Sequence, residues 1–352
     1  MLKIFFTFFI FCIVLFLYLH VTYHLKTSND LEVYEIEETS KDKLEEICNL
    51  RQPVIFDFDC LPILESTNKT NLLHHYHAFD VKIRNKDDDD KKTASSQEGE
   101  NEIFMPLKLN NATKLFQEDD KSRYYSENNK DFLEETGVIK HLQHNDEFLR
   151  PAMVTDCNYD FLFGSEKTKT PFRYELCYRN FILVTQGAVK IKLSPPKNSR
   201  YLHTFYDYEN YEFSAMVDVW NPQPQYRSDF DKMKCLDVIL PCGKTMFIPP
   251  YWWYSIEFQK DSSISFFKYR TYMNHLAILP HTCLYFLQNQ NVRRTIAKKV
   301  KIIKASEETN QNYEEATPSA EEIINNNSEK TTQNLEKATK PKYKNNSKKK
   351  MI

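Results

Sequence analysis

Histidine and acidic side chains that could hold a metal occur at two places in this chain. His74, His75 and His77 lie in the segment HHYH, and His203 is followed closely by Asp207. A neutral imidazole nitrogen or a carboxylate oxygen supplies the lone pair that a transition metal needs. We nevertheless interpret HHYH as a cluster on a surface or in a loop, which is the commoner setting for such a cluster.

An acidic run offers a second possible cation site. Asp87 to Asp90 are four consecutive aspartates, but their spacing is not that of a calcium-binding loop. They lie within residues 84–101, RNKDDDDKKTASSQEGEN, which contain almost no apolar side chains. Adjacent like charges repel one another and favour a solvated segment. We therefore predict a disordered insert at about 84–101.

Two further groups of residues could bind ligands. Trp252 and Trp253 could form a stacking platform, but adjacent tryptophans are more often core and edge packing at the rim of a barrel. A basic run from Arg293 to Lys304 could contact acidic lipid head groups, and a solvated helix face explains it equally well. Neither group by itself identifies a function.

The composition limits the classes of protein that remain. The 352 residues carry a formal net charge of −2, which argues against nucleic acid as a partner. Aromatic residues make up 14%, enough to build a core. Of eight cysteines, Cys12 lies in the apolar N-terminal run, and the other seven include no CxxC pair. We expect thiols without disulfides or structural zinc.

The N-terminal run predicts a membrane anchor. Ile4–Tyr23 contains no formally charged residue. About 20 apolar residues in a helix match the ~30 Å hydrocarbon core of a bilayer. A cleaved signal peptide is the alternative, but the run ends without the small residues of a cleavage site. We predict an uncleaved single-pass anchor over residues 1–26, with the lipid bilayer as its partner and the membrane itself unspecified.

The body that follows is predicted to be mainly β, with flanking helices. Residues 31–36 alternate as a strand does, and Lys41–Asn49 read as a short capped helix. From 160 to 270, short β-rich runs alternate with turns, as in a sandwich or barrel. We assign residues 27–304 to this domain.

The part of the chain from residue 272 onward contains two different kinds of segment. The segment 272–304 reads as a helix broken or kinked at Pro280, too short in its apolar part to span a bilayer. Residues 305–352 are rich in Glu, Asn, Thr and Lys and are predicted to be a disordered tail.

Three segments resemble the cupin-like, Jumonji-C-type domain of iron- and 2-oxoglutarate-dependent protein hydroxylases. They are Asn180–Gly187, NFILVTQG, with the strand and Pro-Pro loop after it; Val217–Pro222, VDVWNP; and Leu236–Phe258, whose stretch FIPPYWWY is the most specific. The resemblance covers roughly 31–270. It implies a double-stranded β-helix, the cupin or jelly-roll barrel, with a pocket at one mouth.

The resemblance also implies an iron site of two histidines and one carboxylate. Counting back from the first matching segment places the first two ligands at Tyr174 and Leu176. Counting forward from the lead-in before it places them at Arg173 and Glu175. The distal histidine position is Tyr254. Neither register supplies a histidine, so Glu175 is at most the one ligand that remains.

The 2-oxoglutarate position implied by the resemblance is equally altered. It falls at Val189, while Lys190 and Lys192 lie on the opposite strand face, from which a one-residue slip in register would bring one of them inward. We expect Tyr174, Tyr254 and the tryptophan pair to fill the pocket mouth, and Arg173 to bind Glu175 or turn to solvent. The predicted vestigial pocket consists of Arg173, Tyr174, Glu175, Asn180, Trp252, Trp253 and Tyr254.

These features predict a membrane-anchored, cupin-like pseudoenzyme. In this hypothesis the barrel serves as a binding or scaffolding module for an unknown protein or small ligand, with no cofactor because the iron site is lost. The alternative is an active Fe(II)- and 2-oxoglutarate-dependent dioxygenase, a protein hydroxylase, with unorthodox ligands. Metal binding by the protein would discriminate the two.

Overall fold

Two β-sheets that share one apolar core form the centre of the molecule. The computed structural model describes residues 2–37, 40–87 and 104–291. The strands of the described residues are β1 (Tyr34–Ile36), β2 (Val54–Asp57), β3 (Asp80–Asn85), β4 (Met105–Lys108), β5 (Tyr124–Ser126), β6 (Val154–Gly164), β7 (Arg173–Tyr174), β8 (Arg179–Gln186), β9 (Ala188–Ser194), β10 (Thr204–Asp207), β11 (Glu212–Ala215), β12 (Leu236–Pro241), β13 (Lys244–Phe247), β14 (Trp253–Phe258) and β15 (Ser263–Thr271). One sheet has nine strands in the order β1-β2-β13-β8-β15-β6-β5-β3-β4, and the other has six in the order β10-β11-β7-β14-β9-β12.

Alternation along the strands explains the core between the sheets. Ile182 and Ile264 come from the larger sheet, Ile191 and Ile256 come from the smaller sheet, and all four are fully buried in one cluster. Successive side chains of a strand point to opposite faces, so every second residue can enter this core. The predicted mainly β, jelly-roll architecture is confirmed, with strands where Asn180–Leu193 and much of Thr245–Phe258 were expected.

Helices cover the outer face of the larger sheet. Outward-facing β15 residues such as Phe267 and Tyr269 share a second core with helical residues such as Leu44 and Leu142. The helices in the described residues are α1 (Leu2–Leu25), α2 (Lys41–Cys48), α3 (Leu61–Thr67), α4 (Lys69–Tyr76), α5 (Leu109–Glu118), α6 (Lys130–Glu135), α7 (Val138–Asn145), α8 (Arg227–Phe230), α9 (Tyr272–Ala277) and α10 (Leu279–Asn291), with short 3-10 turns at Pro196–Tyr201 and Pro224–Tyr226.

Two predicted boundaries differ from the structure. The expected insert at 84–101 begins too early, because β3 continues through Asn85; its remaining part from residue 88 lies outside the described residues. The C-terminal helix is interrupted at Ile278 rather than at Pro280. Proline is tolerated in the first turn of a helix, where its missing N–H has no partner anyway, so Pro280 sits near the start of α10. The predicted extension to 304 and the tail from 305 lie outside the described residues.

The N-terminal run is one continuous helix, as predicted. α1 is long and apolar enough to cross a bilayer, and its apolar side chains are exposed. Its C-terminal end packs on the body: the Arg51 guanidinium carbon lies 5.0 Å from the Tyr23 ring centroid and 4.9 Å from that of Tyr178. The connector is fixed as well, because the Trp252 indole N–H donates to the carbonyl of Ser28 at 3.2 Å.

Candidate functional site

A cavity of about 640 Å³ lies at one end of the barrel, where the inward-facing side chains change from apolar to charged. Along β15, Ile264 and Phe266 belong to the core, whereas Lys268 and Arg270, two and four residues further on, line the cavity. On the antiparallel partner strand β6, the same change occurs before Leu162, at Asp160, Asn158 and Asp156. The barrel is therefore filled at its centre and polar at this mouth.

Arg173, Tyr174 and Glu175 line the cavity, and Tyr254 adjoins Arg173 and Glu175 without lining it. Arg173 on β7 is the direct strand partner of Tyr254 on β14. Two residues after Arg173, Glu175 accepts a hydrogen bond from the Tyr254 hydroxyl at 3.3 Å. Arg173 and Glu175, the residues of the second of the two registers, therefore both lie next to Tyr254. Tyr174 points away from them and stacks on Phe213, with ring centroids 5.2 Å apart.

A lysine that the sequence analysis missed is the partner of Glu175. The Nζ atom of Lys268 lies 2.6 Å from Oε1 of Glu175, and both side chains are about four-fifths buried. Burial alone would lower the pKa of Lys268, but the Glu175 carboxylate raises it above its usual value, so the ammonium stays charged. A lysine at an inward position of the apolar strand SISFFKYRT was the available signal.

Arg173 belongs to a buried cluster of two arginines and two glutamates. Its guanidinium lies 2.6 Å from Glu127 and 3.2 Å from Glu212. Arg84 contacts the same two carboxylates, Glu127 in a short ion pair and Glu212 at 3.2 Å. The expectation that Arg173 would bind Glu175 or turn to solvent is therefore wrong. Arg84 had been placed in the disordered insert, and the structure puts it in this cluster instead.

Charge compensation explains how this cluster can be buried. Glu127 is only 1% exposed. Burial would raise the pKa of Glu127, but the guanidinium groups of Arg173 and Arg84 lower it below its usual range. Unpaired buried charges are costly, and the attraction between equal numbers of each sign offsets part of that cost. Arg173 is thus held in place as a cation at the first predicted ligand position.

Asp160 is a further carboxylate at the cavity that the sequence analysis did not identify. Its oxygens accept hydrogen bonds from the backbone N–H groups of Asn128, at 2.9 Å, and Asn129, at 2.7 Å. Burial raises the pKa of Asp160 to about 6, although these amides oppose the shift. A carboxyl group with a raised pKa in a cleft is a common feature of functional sites.

The other predicted pocket residues do not line this cavity. Trp252 lies in the core between the sheets, and Trp253 lies in a separate core on the outer face of the smaller sheet. The Trp253 indole N–H donates to the Ser199 hydroxyl at 2.8 Å. Asn180 is the direct strand partner of Lys268 and is 1% exposed. Within the described residues, neither side-chain amide atom of Asn180 has a hydrogen-bond partner.

The histidines noted in the sequence do not approach the cavity residues. His74, His75 and His77 are exposed on or next to α4. The Nε2 atom of His203 lies 3.0 Å from Asp229, not Asp207 as its position in sequence suggested. Among residues 2–37, 40–87 and 104–291, no three His, Cys, Asp or Glu side chains are grouped so that they could hold a metal.

The residues at the implied iron position do not fit Fe(II). A facial site needs three lone-pair donors on one side of the metal. Arg173 donates hydrogen bonds only, and the carboxylate of Glu175 already binds an ammonium group. Burial raises the pKa of Tyr254, which therefore stays a neutral phenol. The implied 2-oxoglutarate position is also altered, since Val189 is buried in the core and Lys190 pairs with Asp237 on the other face.

Comparison with known proteins agrees with the fold. The profile of the cupin-like domain family matches residues 40–274, more than half of the 352 residues, and the chain belongs to that family. JmjC domain-containing protein D of Dictyostelium discoideum is 33% identical over 103 residues, which are 29% of this chain and 22% of that protein. HSPB1-associated protein 1 of Rattus norvegicus and that of Homo sapiens are each 28% identical over 95 residues, 27% of this chain and 20% of the relative. These matches span about a fifth of each relative.

Proposed function

We propose that this protein is a membrane-anchored, cupin-like pseudoenzyme whose barrel serves as a binding or scaffolding module. The observation that carries the proposal is the ion pair of Lys268 and Glu175. The carboxylate at the surviving ligand position is neutralised by an ammonium group from the same chain. A metal would have to displace that ammonium and would find an arginine and a tyrosine where histidines are needed.

The cavity supports a binding role. Its walls carry positive groups from Arg173, Lys268 and Arg270, and negative groups from Asp156 and Asp160. A site with both signs of charge suits a small polar ligand, or a polar segment of a protein partner, that offers groups complementary to both. The volume of about 640 Å³ is within the usual range for small-molecule sites.

The membrane assignment rests on α1. Its 24 residues, from Leu2 to Leu25, are long enough to cross the ~30 Å hydrocarbon core of a bilayer. Exposed apolar side chains along the whole helix would be unfavourable in water. Mass spectrometry of the mature N-terminus tests this part: we expect a chain that retains Ile4–Tyr23, and a chain beginning near residue 25 would contradict it.

Metal analysis tests the pseudoenzyme assignment. The full chain in detergent is supplied with Fe(II) and 2-oxoglutarate, and bound iron and 2-oxoglutarate consumption are measured. We expect neither stoichiometric iron nor turnover, and no change on Glu175→Ala. The control Glu166→Ala removes an exposed carboxylate of the body. Stoichiometric iron with turnover that Glu175→Ala abolishes and Glu166→Ala preserves would establish the alternative, an active dioxygenase with unorthodox ligands.

A further inference from the structure

The two C-terminal helices of the described chain present an apolar outer face. Six large apolar side chains of α9 and α10 are between 42% and 61% exposed. They are Tyr272, Leu276, Leu279, Leu284, Phe286 and Leu287. Large exposed apolar side chains grouped on two consecutive helices are typical of an interaction site.

The opposite face of α10 is held against the β domain by aromatic contacts. His281 lies 3.2 Å from the Tyr208 hydroxyl, and its ring centroid is 5.5 Å from that of Phe213. The ring centroids of Tyr285 and Tyr211 are 5.5 Å apart. Because these contacts set the rotation of the helix, its apolar side chains cannot turn inward without breaking them.

The apolar face adjoins the proposed membrane anchor. Helix α9 packs directly against α1, whose own apolar side chains are exposed. The exposed surface of α9 and α10 thus continues the surface that would enter the bilayer. In the sequence, α10 is followed by Arg293, Arg294, Lys298 and Lys299, which would be attracted to anionic lipid head groups.

We infer that the exposed face of α9 and α10 lies in the head-group boundary of the bilayer that α1 spans. This inference rests on the proposed membrane anchor. The 13 residues of α10 extend about 20 Å, which is too short to cross the membrane, so its exposed apolar side chains would be buried at the head-group boundary instead. The occupant of this apolar face is therefore lipid, and neither a second copy nor a protein partner.

This placement also orients the candidate site. Thr282, Tyr285 and Phe286 of α10, with His275 of α9, form part of the cavity lining. A helix that rests on the bilayer is therefore one wall of the cavity. Ligands would then reach Lys268 and Arg173 close to the membrane surface.

Three exposed native cysteines allow a direct test. Cys12 lies within α1, Cys283 lies in α10, and Cys242 lies in the turn between β12 and β13. The turn is remote from the cavity. The backbone N–H of Gly243 donates to the carbonyl of Val184, which lies near the end of β8 that points away from the cavity. Three full-length variants each keep one of these thiols and have serine at the other two positions. A polarity-sensitive fluorophore is attached to the remaining thiol of each variant. They are placed in phosphatidylcholine and phosphatidylglycerol vesicles whose acyl chains are brominated near the head group or near the middle.

The expected pattern differs for the three positions. The probe on Cys12 should be quenched most by the deep bromines, the probe on Cys283 by the shallow bromines, and the probe on Cys242 by neither. Adding Leu287→Glu should release the Cys283 probe into water, whereas Asn289→Glu, at an exposed polar position, should not. Mass spectrometry confirms which thiol carries the label.

Each other outcome has a definite meaning. If Cys12 is quenched and Cys283 stays in water, the inference is wrong while the anchor stands. If Cys283 is shielded from water but not quenched by bromine, protein rather than lipid covers α10, and the inference is again wrong. If Cys12 itself is not quenched, the proposed anchor fails and the inference falls with it.

Discussion

The Nζ atom of Lys268 lies 2.6 Å from Oε1 of Glu175, and the Tyr254 hydroxyl lies 3.3 Å from the same oxygen. Two donors thus contact one oxygen of the carboxylate that stands where the resemblance, in one of its two registers, implies the acidic ligand. The cation that this position requires is supplied by the chain itself. In the proposed pseudoenzyme, this internal ion pair takes the place of a metal at that position.

Removing one member of this pair should destabilise the protein. Lys268→Met leaves the Glu175 carboxylate largely buried without its cation, and we expect a loss of about 1–3 kcal/mol in the free energy of unfolding. Glu175→Gln should cost a similar amount. Combining the two changes should recover part of the loss, with a coupling of at least about 0.5 kcal/mol in urea unfolding. Strictly additive losses would show that the pair does not interact in solution.

The buried cluster around Arg173 should be more sensitive. Glu127→Gln removes the charge that Arg84 and Arg173 share, and we expect a loss of about 3–5 kcal/mol. The matched control is Glu134→Gln, which breaks the exposed pair with Lys130 and should cost about 0–1 kcal/mol. Equal losses for the two variants in urea unfolding would refute the assigned role of the cluster.

The cluster also predicts a dependence of stability on acid. Because the pKa of Glu127 is lowered in the folded protein from its ordinary value of 4.5, the folded state prefers the ionised form. The stabilisation that ionised Glu127 gives to the folded state is present above pH 4.5 and is lost as the pH falls toward the lowered pKa. On acidification, the free energy of unfolding of the wild type should therefore decrease more than that of Glu127→Gln.

Asp160 should show the opposite sign. Its pKa is raised from 3.8 to about 6, so the folded state binds this proton more tightly than the unfolded chain. The stability of the wild type minus that of Asp160→Asn should therefore decrease as the pH rises from about 4 to about 6. Thermal unfolding of both proteins across that range measures the difference. A difference that increases with pH would contradict this, because it would mean that folding favours the ionised form of Asp160.

Two glycines with similar backbone angles should tolerate alanine differently. Gly187, in the turn between β8 and β9, has φ +69°, and an added Cβ would lie 3.0 Å from the Ser262 Cα atom. Gly137 has φ +75° with no atom within 4 Å of its Cβ position. Gly137→Ala should cost about 1–2 kcal/mol from backbone strain alone. Gly187→Ala should cost more, since the facing backbone must also move, and equal costs in urea unfolding would contradict this.

Local patterns were sufficient for part of the architecture. The uncharged run Ile4–Tyr23 predicts α1 because the length and polarity of one helix are properties of consecutive residues. Alternation and turn residues predict β8, β9 and β13 in the same way. The segments that resemble the Jumonji-C-type domain also predicted that Glu175 and Tyr254 lie near one another, and the Tyr254 hydroxyl donates to Glu175 at 3.3 Å.

Other parts depended on contacts that no local pattern contains. Helices α3 to α7 were not predicted, since their short apolar stripes are meaningful only against the outer face of the larger sheet. The sequence could not show which core each tryptophan enters. Adjacent strand residues point to opposite faces of a sheet, and only the folded structure shows which core lies on each face.

The candidate site also combines features that the sequence predicts with features that only the tertiary structure determines. The sequence shows Arg173 and Tyr254 at two positions where the resemblance implies histidines. What those residues do instead was decided by the fold, which brings Arg84, Glu127 and Glu212 to Arg173 from three other strands or loops, and Lys268 to Glu175 from β15. An ion pair forms wherever the folded chain places opposite charges out of water, and residues far apart in sequence meet there only through the tertiary structure.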